Sequence, residues 1–277
     1  MKKMSIFDEV MENDNSVFKN QNVFSIDYAP ESIQCRDKEL KSILINIKPL
    51  LNNNKVLNTI LMGNSSTGKT TVIKYALREI EEHTNIKTGY INCNIPDTVR
   101  KCYYQLYSRL FELKPHNNLS TEILEEAILE KLEEGSFILV IDDINQLSKK
   151  DANRLINELF RANEYYHLNM AIILVINNIL FKYSLEKNTQ TMLQCQEIMF
   201  HDYTEEEIYS ILKYRCDLGF KKGVIEEEQI EKISQNVARY TSLRRGLTIL
   251  NLLGQKIESE NRDTITDEDI NEFLVFS

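Results

Sequence analysis

The sequence has no run of about 18 apolar residues that could span a bilayer, and its opening, MKKMSIFDEV, lacks the apolar stretch of a secretory leader. Both absences set the expectation of a soluble, cytoplasmic protein with no membrane partner. Cysteine is sparse: Cys35, Cys93, Cys102, Cys195 and Cys216 make five, with no Cys-x-x-Cys spacing. An odd count without that spacing argues against both a disulfide framework and a zinc site, and reads as reduced thiols. No internal repeat or low-complexity tract occurs. A basic excess is also missing. The net charge of −9 argues against a surface coated for non-specific nucleic-acid binding, though it is compatible with a local basic stripe.

What is present is 277 residues, 42% of them apolar, enough for an α/β body and a modest second unit. Residues 1–22 are polar and aperiodic and read as a loose arm or a short helix. The stretch ESIQCRDKELKSILINIKPLL then places Leu40, Ile43, Leu44 and Ile47 at helical spacing, until Asn52 to Asn54 break it. A strand, VLNTILM, empties into LMGNSSTGKTTV, and TTVIKYALREIEEH continues as a helix with Val72, Ile73, Ala76, Leu77 and Ile80 on one face. Four more apolar runs follow, TGYINCN, SFILVIDD, MAIILVINN and QEIMF. Helical stretches near 98–113, at 121–134 and in ANRLINELFRANEY lie between them. Strands alternating with helices predict right-handed crossovers and a doubly wound parallel sheet. After His201-Asp202-Tyr203 only helical periodicity remains, opened by Thr204 and Glu207 in capping-box spacing. The expected domains are a 1–22 arm, a 23–203 α/β domain and a 204–277 helical domain.

Glycine, four residues, then Gly-Lys-Thr, set between a strand and a helix, is a phosphate cradle. Gly63 and Gly68 let the backbone approach closely, and N–H groups from Asn64 through Ser65, Ser66, Thr67 and Gly68 to Lys69 and the helix-opening Thr70 and Thr71 face the phosphates. Lys69 would reach the β- and γ-phosphates, and the Thr70 hydroxyl would ligate Mg²⁺. ILVIDD ends an apolar strand in two carboxylates, Asp142 as metal partner and Asp143 to orient an attacking water. Aspartates that merely end a strand are the plainer reading, displaced here by the phosphate loop. Asn177 or Asn178, ending the fourth run, can sense a γ-phosphate, or simply form a turn. Arg244 and Arg245 in SLRRG can reach the γ-phosphate from a lid, or can be a solvated face.

The order of these motifs resembles the archaeal origin-recognition and cell-division-control initiator proteins, a branch of the AAA+ ATPases. SVFKNQNVFSIDYAPESIQCRDKEL, GNSSTGKTT, YINC, ILVIDDINQL, FHDYTEEEIYSILKYR and TSLRRGLTIL carry the likeness from about residue 16 to 272. It implies a P-loop AAA+ core with a five-stranded parallel sheet and a small all-helical lid, using ATP/ADP and Mg²⁺. It implies an adenine pocket around Tyr28, Ile33, Gln34 and Arg36, with Asn177 as first sensor and Arg244 as second. Residues 97–113 fall where the family has a helical insertion that can touch duplex DNA; packing on the core explains their tyrosines and basic residues equally well.

Three departures shape the expectation. The family's usual Asp-Glu is Asp142-Asp143 here, so hydrolysis is expected to be slow or absent. EKNTQTMLQCQEIM has no arginine where relatives supply a finger to a neighbouring subunit. Relatives continue into a winged-helix domain beyond the position of Ser277, so the main DNA-reading element is expected to be missing. The reading is therefore a weak-ATPase initiator-like switch, acting with duplex DNA, related AAA+ subunits and a replicative helicase. The alternative is a nucleotide-holding regulatory subunit without its own DNA recognition. A small-acceptor kinase is disfavoured, because no second Gly-rich or arginine-dense lid insertion is present.

Overall fold

A computed structural model describes residues 16–94, 98–116, 118–240 and 242–275. The chain forms two compact units, residues 31–202 and a second made of residues 203 onward together with the segment up to Pro30.

The larger unit is built on five parallel strands, β1 (Thr59–Met62), β2 (Lys87–Asn92), β3 (Phe137–Asp142), β4 (Met170–Ile176) and β5 (Gln196–Met199), in the order β2-β3-β4-β1-β5. These are the five predicted runs. Helices α1 (Asp37–Ile47), α2 (Lys69–His83), α3 (Val99–Phe111), α4 (Thr121–Leu132) and α5 (Lys149–Tyr165) cover the sheet. Covering on both sides explains why β1, β3 and β4 are buried at every position. In β4, Met170, Ile172, Leu174 and Ile176 pack on one face with Leu106, Leu124 and Ile156, while Ala171, Ile173 and Val175 pack on the other with Ile43, Val72, Ile73 and Ala76. The polar connection before β5 contains two short helices not foreseen in the sequence, α6 (Leu180–Ser184) and α7 (Lys187–Met192). They are held by the buried Phe181, Leu185 and Leu193 rather than by any sustained period.

The smaller unit contains α8 (Glu205–Gly219), α9 (Glu227–Arg239), α10 (Leu243–Ser259) and α11 (Asp267–Val275). The predicted capping box opens α8: Glu207 N–H donates to Thr204 Oγ1 at 3.2 Å, and Thr204 N–H donates to Glu207 Oε2 at 2.9 Å. The arm differs from the expectation. Of the 1–22 arm, residues 1–15 lie outside the described residues. Residues 16–30 belong with the helices, not with the sheet. Phe18 and Phe24 cluster with Phe220 at ring separations of 5.3 and 4.6 Å, and Phe18 forms an antiparallel bridge with Phe220. Gly254 makes room for this: a Cβ there would stand 2.2 Å from Phe18 Cζ. Among the described residues no helix is long and apolar enough to cross a membrane.

Candidate nucleotide-binding site

The phosphate loop joins β1 to α2 at the carboxyl edge of the sheet. Gly63 adopts φ 152°, and a Cβ there would lie 2.2 Å from the Phe200 carbonyl oxygen, so this position admits only glycine. Ser66 (φ 65°) and Gly68 (φ 88°) are also left-handed, which bends the loop backbone back toward the first turn of α2 at Lys69. Asn64 and Ser65 are exposed, whereas Thr67 and Lys69 are buried. Asn64 Nδ2 donates to both oxygens of Asp202 at 3.1 Å. Thr71 continues the helix as a half-buried residue.

Lys69 is 5% exposed, and its ammonium donates to Gly63 O (2.9 Å), Asn64 O (2.6 Å) and Thr67 Oγ1 (3.2 Å). A buried cation ringed by loop oxygens is held where an anion in the loop would meet it.

The loop and the carboxylate strand meet. Thr70 Oγ1 donates to Asp142 Oδ2 at 2.8 Å, and the Tyr90 hydroxyl donates to the same oxygen at 2.5 Å. Asp142 is fully buried, and its Oδ1 has no hydrogen-bond partner among the described residues. Burial pushes the Asp142 carboxyl above the usual carboxylate range, partly opposed by the hydrogen bonds from Tyr90 and Thr70. Burial and the neighbouring Asp142 push the Tyr90 phenol strongly upward, keeping it a donor. An orphaned buried carboxylate oxygen beside a threonine hydroxyl is a donor set that fits Mg²⁺. Among the described residues no group of three or more His, Cys, Asp or Glu side chains could hold a metal. Protein ligands this few suit an ion that brings its own waters and phosphate oxygens.

Asp143 sits at the end of β3 with φ 54°. Its Oδ1 accepts from Asn177 Nδ2 at 3.2 Å, and its Oδ2 accepts from Asn94 Nδ2. Asn145 holds Asn177: its Nδ2 donates to Asn177 Oδ1 at 2.6 Å while its Oδ1 accepts from Asn177 N–H at 3.1 Å. Of the predicted pair, Asn177 therefore joins the carboxylates, whereas Asn178 accepts from Leu180 N–H at 2.9 Å and shapes the turn into α6. Tyr90, Asn94 and Asn145 were not picked out from the sequence. Asn94 and Asn145 carried a partial signal, being polar residues just past the carboxyl ends of β2 and β3, the edge where such sheets bind ligands, whereas Tyr90 lies inside β2 and carried none.

The residues assigned to the base divide. Arg36 is 4% exposed, and it donates from Nε to Thr67 O at 3.0 Å and from one terminal nitrogen to His201 O at 2.5 Å, with Glu39 Oε1 3.3 Å from the other. Its guanidinium thus braces the loop. Ile33 packs against the core shared with α1 and α2, and Gln34 Nε2 donates to Ser32 Oγ at 3.1 Å. Tyr28 belongs to the helical unit, its ring 4.7 Å from the Arg215 guanidinium. Arg244 is an exposed residue in the first turn of α10 in that unit, and Arg245 lies 4.1 Å from the Tyr240 ring centroid. In the 97–113 stretch residue 97 lies outside the described residues. Tyr103 is buried and donates to Glu158 Oε2 at 3.1 Å, Tyr104 donates to Pro115 O at 3.0 Å, and Tyr107 stacks on Phe111. Arg100 donates to Leu119 O at 3.1 Å and Arg109 to Glu81 at 3.2 Å, while Lys101 is exposed.

Two family models match the chain, an AAA domain over residues 55–183 and a Cdc6 AAA+ ATPase-type lid domain over residues 209–273. Among curated proteins, ORC1-type DNA replication protein 2 of Methanothermobacter thermautotrophicus is 30% identical over 272 residues, covering 96% of this chain and 72% of the relative. The protein of that name from Methanosarcina mazei is 32% identical, covering 93% and 70%. Among solved structures, the Aeropyrum pernix ORC1 protein in complex with DNA superposes with a TM-score of 0.85 at 24% identity, covering 95% of this chain and 70% of that one. The phosphate loop, the aspartate-tipped third strand and the lid helices thus have a shared ancestry, and the chain belongs to the archaeal ORC1-type DNA replication protein family of AAA+ proteins.

Proposed function

We propose that this chain is a Mg²⁺-dependent ATP- and ADP-binding switch of the replication-initiator type with weak ATPase turnover. The observation that carries the reading is the meeting of Thr70 and Asp142 at 2.8 Å beside the buried Lys69, with Asp142 Oδ1 left as an open acceptor. Loop N–H groups and Lys69 would take the β- and γ-phosphates, and Thr70 and Asp142 would hold Mg²⁺, which supplies positive charge against the phosphate oxygens. Asp143 would orient the attacking water. Its carboxylate already accepts from Asn94 and Asn177, so a water must compete with two amides, and this supports slow turnover.

In the same reading Asn177 reports on the γ-phosphate from the sheet edge, and Arg244 reports on it from the lid. Tyr28, Ile33 and Gln34 would line the base, while Arg36 contributes by holding the loop. The replication role is supported by the names of the relatives, and the duplex-DNA partner by the DNA in the Aeropyrum complex. Related AAA+ subunits and a replicative helicase complete the proposed set of partners. The test is duplex-DNA binding with ATP, with ADP and without nucleotide, across a salt series. Nucleotide-dependent binding that weakens steeply with salt supports an initiator. Absence of duplex binding at every salt concentration overturns that part, leaving a nucleotide-holding subunit.

A further inference from the structure

Tyr90 lies on β2, separated by two strands from the one that feeds the phosphate loop, and belongs to none of the nucleotide motifs. Its hydroxyl nevertheless reaches the carboxylate at the centre of the site, donating to Asp142 Oδ2 at 2.5 Å. The Thr70 hydroxyl donates to that same oxygen at 2.8 Å. Both donors therefore converge on one oxygen, and the other, Oδ1, is buried without a partner among the described residues. Two hydrogen bonds on one oxygen fix the plane of the carboxylate: turning it out of that plane breaks both, so the other oxygen is held in one place.

We propose that Tyr90 is a positioning residue of the magnesium site, fixing the Asp142 carboxylate so that Oδ1 is the oxygen offered to the metal's water shell. The inference rests on the nucleotide reading above and adds a residue to it. Thr70 is itself a candidate metal ligand, so its hydroxyl has a second partner to satisfy. Tyr90 is anchored independently. It sits in the β2–β3 ladder opposite Val140, two positions before the Asn92 and Asp142 pair, and the Lys74 ammonium lies 5.4 Å from its ring centroid. Partners that orient a ligating carboxylate govern metal affinity without touching the metal.

The test is Tyr90→Phe, which keeps the ring and removes only the donor. Mn²⁺ titrated into the ADP-bound protein, with free Mn²⁺ read by electron paramagnetic resonance, is expected to be retained about tenfold more weakly by the variant. Affinity for ADP in EDTA is expected to match the unaltered protein, a split that general loss of structure would not produce. Tyr90→Met is titrated alongside, and whichever variant melts with the parent decides. Mn²⁺ retention within about twofold of the parent overturns the proposal. If the parent itself binds ADP in EDTA but retains no Mn²⁺, or binds no ADP, the failure belongs to the nucleotide reading and not to Tyr90.

Discussion

The Nε of Arg36 donates to the carbonyl oxygen of Thr67 at 3.0 Å, so a buried arginine preceding α1 holds the backbone of the phosphate loop from behind. A second bond from the same guanidinium, to His201 O, ties the loop to the chain just beyond β5. Arg36→Ala leaves two carbonyls short of a donor, each worth about 1–3 kcal/mol when buried. Arg36→Lys keeps the charge but loses the fork. Both variants are expected to unfold earlier, and both are expected to weaken ATP and GTP by the same factor. A loss confined to adenine nucleotides, measured by titration calorimetry, would instead put Arg36 on the base.

Lys69→Ala removes the ammonium that faces the loop oxygens. Nucleotide retention is expected to fall by about a hundredfold, which corresponds to roughly 2.7 kcal/mol. Equilibrium binding of labelled ATP measures this directly, and undiminished binding would refute the site.

Asp143 bears on turnover. Asp143→Glu reaches one methylene further, past the two amides, and is expected to raise the single-turnover rate about tenfold, or about 1.4 kcal/mol of barrier. Asn94→Ala, which frees Asp143 Oδ2, is expected to act in the same direction. If neither rate moves, placement of water by Asp143 does not limit hydrolysis.

In the helical unit, Gly254→Ala would push a methyl into the Phe18 ring, an overpacking of about 1–3 kcal/mol. The expected result is an earlier melting transition for that unit. An unchanged transition would mean that Phe18 does not occupy the helical core.

The pH response of the same unit follows from Asp269, which accepts both terminal nitrogens of Arg262 at 2.8 Å. Hydrogen bonds from Arg262, and then from Lys256, hold its carboxyl far below the ordinary 3.8. A carboxyl depressed on folding stabilises fully above its unfolded value and loses that contribution as the pH falls toward the folded one. Asp269→Asn is therefore expected to lower the urea midpoint at neutral pH, with the gap to the parent closing below pH 3.8. A gap independent of pH would contradict the assignment.

Much of this was legible in the residues. The runs ending at Met62, Asp142 and Ile176 are buried on consecutive positions because both faces of each are covered, and that pattern has few alternatives. The loop and Asp142 were legible because glycines and carboxylates at strand ends are constrained by local backbone geometry. Tyr90, Asn94 and Asn145 were less so, because what brings them to the site is a neighbour on an adjacent strand, and the register that supplies it is absent from a linear reading. Arg36 is expected at the base by family position, and its guanidinium also donates to Thr67 O in the phosphate loop and to His201 O beyond β5, contacts that no linear reading supplies. The packing of Phe18 and Phe24 was hidden for a related reason: they sit in a polar stretch with no period, and only the space beside Gly219 and Gly254 shows where they go.

The central claim is that the lysine loop and the aspartate-tipped strand together hold one metal-bound nucleotide. The most direct measurement is ADP binding to the unaltered protein and to Asp142→Asn, each with Mg²⁺ and with EDTA. The account predicts that Mg²⁺ tightens binding in the unaltered protein and that Asp142→Asn abolishes that gain while leaving the EDTA affinity in place. Binding that ignores Mg²⁺ in both proteins, or no binding at all, would contradict it.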